Sequence, residues 1–210
     1  MPRKNPPVRR YAQRGPPPPG GRNLVRIVGG EWRGRPLRFP AVPGLRPTPD
    51  RVRETLFNWL QQDVHGRRCL DLYAGSGALG LEALSRGATE VVFVDREPAV
   101  VRHLLERLRD FGCDRGTVVR SDAARYLEGP PQAFDLVFLD PPFDAGALPG
   151  VCQGIERGGW LAPGGLVYLE CAAPAGAPEL PPGWTLLRSK RAGEVGYHLA
   201  RRDVADGRGS

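Results

Sequence analysis

Phe134–Phe143, FDLVFLDPPF, is an apolar run fit for the middle of a sheet, and it stops at an acid, two prolines and an aromatic ring. Asp-Pro is an ordinary turn start, because Pro presets its own φ and Asp favours the position before it. A second proline adds nothing to a turn. Two imides in a row remove two N–H donors and leave carbonyls fixed in direction. Asp140 and the Pro141 carbonyl could then accept both hydrogens of an aromatic exocyclic amine, freeing its nitrogen to pyramidalise toward an electrophile. Pro142 would hold that direction, and Phe143 could stack on the base. The plain alternative is a strand-end turn with a core phenylalanine.

Three more apolar runs end in something chemically pointed. DLYAGSGALG places Asp71 before Gly75, Gly77 and Gly80, glycines that let a backbone approach a ligand closely, with Tyr73 inside the turn. EVVFVD ends in Asp95, twenty residues after Gly75, where an acid takes the hydroxyls of a ribose. GTVVRSD ends in Asp122, within reach of an adenine amine. A G-x-G-x-x-G spacing also suits a dinucleotide-dependent oxidoreductase. Against that, Asp71 would sit badly beside a pyrophosphate but well beside a cationic amino acid, and His65, His103 and His198 are not poised as proton donors. A ligand with ribose, adenine and an ammonium group but no phosphate is S-adenosylmethionine. The chemistry calls for no metal, and Cys69, Cys113, Cys152 and Cys171 form no C-x-x-C pair that would suggest zinc or a disulfide framework.

Such residues need a sheet to carry them. Strands alternate with helices from RCLDLYAG onward: EVVFVD precedes a helix through PAVVRHLLERLRDFG, GTVVRSD a short one around AARYL, and FDLVFLDPPF one after Asp144. GGLVYLEC, WTLLRSK and EVGYHLARR complete the strands, the last two as a closing antiparallel pair. This is an α/β pattern with a mainly parallel sheet covered on both faces. Before it, LVRIV and RPLRF flank GGEWRG as a small hairpin. In GLRPTPDRVRETLFNWL, Thr48 is expected as the N-cap and Pro49 as the first residue of an amphipathic helix. Trp32, Trp59, Trp160 and Trp184 read as packing residues. The boundaries predicted are a basic Arg/Pro-rich arm over 1–23, a hairpin-and-helix extension over 24–63, the catalytic domain over 64–202 and a frayed tail over 203–210.

The chain has 210 residues, 40% of them hydrophobic and 25% charged, and no run approaches the ~20 apolar residues of a membrane helix. The expected compartment is the cytoplasm. Of the net charge of +7, residues 1–23 carry +6 and residues 24–60 a further +4, leaving the remainder slightly acidic. A basic N-terminal third, Arg33 and Arg35 included, fits a polyanion such as RNA, although the first 23 residues alone would equally suit a solubility tail. Lys190 and Arg191, expected in the turn before the last strand, either touch RNA or are simply solvated.

RIVGGEWRGRPLRFP, GLRPTPDRVRETLFNWL, DLYAGSGALGLEALSRGA, VFVDRE and FDLVFLDPPF together resemble the RsmD-type bacterial 16S ribosomal RNA (guanine-N(2)-)-methyltransferases, from about Arg26 to Arg201. The resemblance implies a Rossmann-like class I methyltransferase fold: a seven-stranded, mainly parallel sheet with a reversed final strand, plus the small N-terminal extension. It implies methylation of one guanine amine in 16S rRNA, in an assembled or assembling small ribosomal subunit, by a monomer that meets no membrane. By position, Asp71, Gly75 and Gly77 match the methionine-side loop, Asp95 the ribose acid, and Asp122 with Ala123 the adenine contact. Asp140, Pro141, Pro142 and Phe143 match the catalytic tetrapeptide. Arg46, Thr48, Arg51 and Arg53 match a stretch expected to touch RNA or close over the site. The arm over 1–23 is not part of the family pattern. An adenine-directed DNA methyltransferase and a non-catalytic RNA-binding assembly factor are the remaining alternatives, the first disfavoured because so short a chain lacks a domain for reading DNA sequence.

Overall fold

A computed structural model describes residues 24–42, 45, 47–61, 63–142 and 147–204. Its central sheet holds β3 (Arg68–Asp71), β4 (Glu90–Asp95), β5 (Gly116–Arg120), β6 (Phe134–Leu139), β7 (Leu161–Ala172), β8 (Trp184–Ala192) and β9 (Val195–Arg202). The spatial order is β5-β4-β3-β6-β7-β9-β8. The five strands from β5 to β7 run parallel, while β9 lies antiparallel to β7 on one side and β8 on the other. The seven strands and the closing antiparallel pair are those the sequence pattern predicts, and the reversed final strand is the one the resemblance implies. Successive crossovers wind outward from β3 to β4 and β5, then from β3 to β6 and β7. The sheet therefore changes direction between β3 and β6, where parallel sheets open a crevice at the carboxyl ends of their strands.

Alternation along each strand feeds two cores. Cys69, Val91, Phe93, Leu136 and Phe138 point to one face; Leu70, Val92, Val94, Val137 and Leu139 point to the other. α4 (Ala123–Leu127) and α5 (Leu148–Gly158) cover the second face. α2 (Ala78–Ser85) and α3 (Pro98–Asp110) cover the first, together with α1 (Asp50–Leu60) and the hairpin of β1 (Leu24–Arg26) and β2 (Pro36–Arg38). Ile27, Leu37, Leu56, Phe57 and Leu60 are all buried in that same core, each contributing about 1.5–3 kcal/mol by leaving water. None of the helices is long and apolar enough to cross a membrane, among the described residues.

Polar contacts fix where the N-terminal segment sits. Glu82 on α2, fully buried, accepts hydrogen bonds from Val28 N–H (2.8 Å), Arg86 Nε (2.8 Å) and Arg53 Nη1 (3.4 Å). Ser85 Oγ accepts from Trp32 N–H at 2.9 Å and donates to the Gly29 carbonyl at 2.6 Å. Gly30, at φ +74°, packs so closely on Ser85 that a Cβ would overlap its carbonyl. Hairpin, α1 and α2 are thus clamped together, and Leu45 and Thr48 come to the carboxyl edge of the sheet, beside Asp71 and Asp140.

Two local expectations differ from the structure. α1 starts at Asp50, with Pro49 at the cap position and no side chain capping it; the Thr48 hydroxyl is turned away, into the sheet edge. Lys190 and Arg191 lie in β8 itself, paired with Tyr197 and Gly196, because the turn falls two residues later at Gly193–Glu194.

Candidate active site

The sheet order sets the acids side by side: Asp122 after β5, Asp95 ending β4, Asp71 ending β3, and Asp140 after β6. Each carboxylate is placed by backbone. Asp71 Oδ2 accepts the Gly80 N–H at 3.0 Å, inside the first helix turn after the glycine loop. Asp95 accepts the Gly75 N–H at 2.9 Å and the Glu97 N–H at 2.8 Å, so the acid and the loop hold each other. Asp122 caps α4, its Oδ1 accepting from Ala124 N–H at 2.9 Å, while Ala123 beside it is buried. Gly77 stands at φ +77° as the left-handed cap of α2, a conformation strained for any residue with a side chain, and a Cβ there would press on the tip of Leu104.

The centre is acidic, with Thr48, Asp71 and Glu170 buried and Asp140 half-buried. Asp71 is 2% exposed, and burial pushes its carboxyl up to about 7, with Asp95 adding to the rise and the Gly80 N–H opposing it. Asp140 is raised well above the ordinary carboxylate range by burial, by the charge of Glu170 and by Asp71, against a lowering contact from Thr48. Thr48 Oγ1, itself 4% exposed, lies 2.9 Å from Glu170 Oε1 and 3.5 Å from Asp140 Oδ2. The Tyr168 hydroxyl donates to the same Glu170 oxygen at 2.8 Å.

Cavities flank this centre. A small one of about 50 Å³ is lined by Leu45, Thr48, Asp71, Tyr73, Gly75, Ser76 and Asp140, joining the glycine loop to the end of β6. Beyond Pro141 and Pro142, a second of about 300 Å³ is walled by Leu148, Glu170, Cys171, Ala172, Pro178 and Glu179, room enough for a heterocyclic base. Asp122 lies at the margin of a wider open groove over β4 and β5, lined also by Arg96, Arg120 and Tyr126.

Thus Asp71, Tyr73, Gly75, Gly77, Asp95, Asp122, Ala123, Asp140, Pro141 and Pro142 all fall on one edge of the sheet. Phe143 and Arg46 lie outside the described residues. Of the residues expected to meet RNA, Arg33, Arg35, Arg51, Lys190 and Arg191 are exposed. Arg35 stacks over Phe111 at 4.1 Å, and Lys190 Nζ lies 5.9 Å from the Trp59 ring. Arg53 is instead fully buried between Glu82 and Asp50, where it presents nothing to a polyanion, and Thr48 closes over the site rather than facing solvent. Sequence reasoning passed over Glu170 and Tyr168. The available signal was an acid at the end of LVYLE whose strand pairs in register with β6, Leu169 opposite Leu139.

Comparison with known proteins agrees with this geometry. The model of a family described as Conserved hypothetical protein 95 matches residues 25–201. Ribosomal RNA small subunit methyltransferase D of Escherichia coli (strain K12) is 45% identical over 184 residues, covering 88% of this chain and 93% of that one. The protein of the same name from Haemophilus influenzae is 41% identical over 187 residues, covering 86% and 95%. The solved structure of Escherichia coli yhhF superposes with a TM-score of 0.81 at 43% identity, covering 86% of this chain and 98% of that one. The seven-stranded sheet with its reversed last strand is the Rossmann-like class I methyltransferase fold. On the extent of the match and these identities, the chain belongs to the Conserved hypothetical protein 95 family, the RsmD-type family its motifs resemble.

Proposed function

We propose that this protein is an S-adenosylmethionine-dependent methyltransferase acting on the exocyclic N2 amine of one guanine in 16S rRNA, within the small ribosomal subunit. The observation that carries the reading is Asp140-Pro141-Pro142 at the end of β6, sharing one cavity wall with the glycine loop and Asp71 and another with a base-sized pocket. The names of the relatives point to the same substrate class.

The residues present suit the cofactor. Asp71, buried and short of a positive partner among the groups that shift it, is placed for an ammonium group. Asp95 stands where ribose hydroxyls would be held. Asp122 and the Ala123 N–H, free of an intrahelical acceptor at the first position of α4, suit an adenine edge. When bound, S-adenosylmethionine supplies an electrophilic methyl group on a sulfonium. The protein's part is positional: Asp140 and the Pro141 carbonyl accept the two amine hydrogens, which directs the nitrogen lone pair away from the ring, and Phe143 fixes the plane of the base. Arg33, Arg35, Arg51, Lys190 and Arg191 would grip the phosphate backbone.

The test uses small subunits from a strain lacking the modification, purified protein and methyl-labelled S-adenosylmethionine, with nucleosides resolved by mass spectrometry. Label in N2-methylguanosine at one site is the expected result. No transfer to subunits, or label on adenine, overturns the reading.

A further inference from the structure

Three buried side-chain nitrogens lack a hydrogen-bond partner among the described residues, and two of them, His103 Nε2 and Arg107 Nε, belong to residues that line one notch. This notch, of about 360 Å³, opens between the end of β2 and α3 and is lined by Arg38, Pro40, Arg102, His103, Glu106 and Arg107. Arg38 and Arg102 are exposed, and neither has an acid partner among the described residues. Arg107 spends its Nη2 on Asp110 at 2.7 Å and leaves its Nε–H unused. Glu106, exposed as well, is the one acid in the lining. Shut-away polar nitrogens without partners are few in folded proteins, and a cluster of them beside unpaired cations marks a place for an anion.

Its position suits a nucleic-acid strand that leads to the site. β4 ends at Asp95 on the carboxyl edge and α3 starts at Pro98, so Ala99, Arg102 and His103 belong to the helix turns beside that edge. The His103 ring reaches the Ser76 backbone and Leu104 lies against Gly77, which brings the floor of the notch to the glycine loop. At the other end of α3, Arg35 donates to the Asp110 carbonyl at 3.1 Å. Residues 35–40 thus follow α3 back from its end toward its start, and Arg35, Arg107, Arg102 and Arg38 make one basic track beside it. Pro40, at the notch, leads on to Leu45 and Thr48 beside Asp140.

We propose that this notch holds a phosphate of the RNA backbone, gripped by Arg38 and Arg102 with Arg107 behind them, so that the strand runs on along the sheet edge toward the target base. This inference rests on the reading that RNA is the substrate. A phosphodiester carries one negative charge, which two unpaired guanidiniums match even with Glu106 on the rim, and their planar forks suit its free oxygens. It also brings to Arg107 an anion beyond the single oxygen that Asp110 supplies. A merely solvated face does not account for the two nitrogens withdrawn from water. Such a grip sets the position of the strand and carries no base information.

The test is binding of the full chain to 16S rRNA at several salt concentrations, with melting temperature and S-adenosylhomocysteine affinity as controls that every variant should leave in place. Arg38→Ala and Arg102→Ala should each weaken binding and lower the slope of log affinity against log salt by about 0.7, the value for one phosphate on a single strand. Arg109→Ala removes an equal charge from the exposed side of α3, outside the notch, and should do distinctly less. Glu106→Gln removes the lining acid, so it should tighten binding at low salt, with the gain fading as salt rises. In methyl transfer to small subunits, the Arg38 and Arg102 variants should raise KM and leave kcat unchanged, because the grip is the same before and during reaction. Losses no larger than that of Arg109→Ala, or no gain in Glu106→Gln, would overturn the notch. RNA binding that responds as expected while no methyl group moves would support the notch and sink the enzymatic reading alone. A wild-type chain that does not bind rRNA would overturn both.

Discussion

A carboxylate at a strand end can hold a cofactor, orient a substrate or do neither, and substitution separates these roles. Asp140→Ala should lose methyl transfer altogether while S-adenosylhomocysteine still binds, because its oxygens are placed for the amine beside Pro141. Asp95→Ala should instead weaken the cofactor, since it frees the Gly75 N–H and deforms the loop that it holds. Calorimetry on both variants checks the division, and equal loss of affinity in the two would remove it. Asp71 gives a prediction in pH. Its carboxyl is pushed up to about 7 by burial, so below that pH it is largely protonated, and a cationic ligand must first displace the proton. Affinity for S-adenosylhomocysteine should be level above about pH 7 and fall up to about tenfold per unit below it. In Asp71→Asn that slope should vanish, on a weaker baseline. A wild-type affinity independent of pH would show that Asp71 does not meet the cation. Asp71, Asp95, Asp122 and Asp140 were legible in the sequence because each closes an apolar run. Glu170 was not, because its meaning depends on Thr48, 122 residues earlier in the chain.

Elements hold these residues only if the N-terminal segment stays clamped to α2. The Glu82–Arg53 pair has both side chains fully withdrawn from water, and Glu82 also serves the Val28 N–H and Arg86. Glu82→Ala would leave Arg53 with Asp50 and the Thr48 carbonyl only, and the half-buried Val28 N–H without its acceptor, at a cost of about 1–3 kcal/mol in a denaturant titration. The loss should reach the site as well, because Thr48 is delivered by the backbone that precedes α1 and its carbonyl accepts from Arg53 Nε at 3.2 Å. A variant of wild-type stability would show that hairpin and α1 are held by their apolar faces alone. This clamp could not be read from the sequence. An arginine on an amphipathic helix ordinarily lies on the wet face, and only the packing of α1 on α2 reveals that Arg53 faces inward. Periodicity does give the apolar half of the same helix, since Val52, Leu56 and Leu60 are buried where the spacing places them. The strand alternation gave both faces of the sheet for the same local reason. Thr48 misled as an N-cap because capping is also a local rule, and here a distant carboxylate, Glu170, outcompeted the helix for its hydroxyl.

The whole molecule is polarised in charge along the chain, and this bears on how it would meet a ribosomal particle. Residues 1–23 carry six cations and no acid, whereas the chain beyond residue 60 is net negative. The described core begins at Val25, so truncation before residue 24 leaves every described contact of the hairpin, α1 and the sheet in place. Such a truncated protein should keep the melting temperature and the cofactor affinity of the full chain. Its binding to 16S rRNA should weaken across all sequences alike, because phosphate contacts carry no base information. The slope of log affinity against log salt should fall by up to about 4, at roughly 0.7 per phosphate neutralised on a single strand by the six cations. Methyl transfer to small subunits should then differ most from the full chain at high salt and least at low salt, where the exposed arginines of the hairpin and α1 suffice. Titrations of both proteins at several ionic strengths test this directly. An unchanged slope with unchanged activity would mean that the arm takes no part in gripping RNA, and the electrostatic contact would then rest on the exposed cations of the folded body, Arg33, Arg35, Arg51, Lys190 and Arg191 among them.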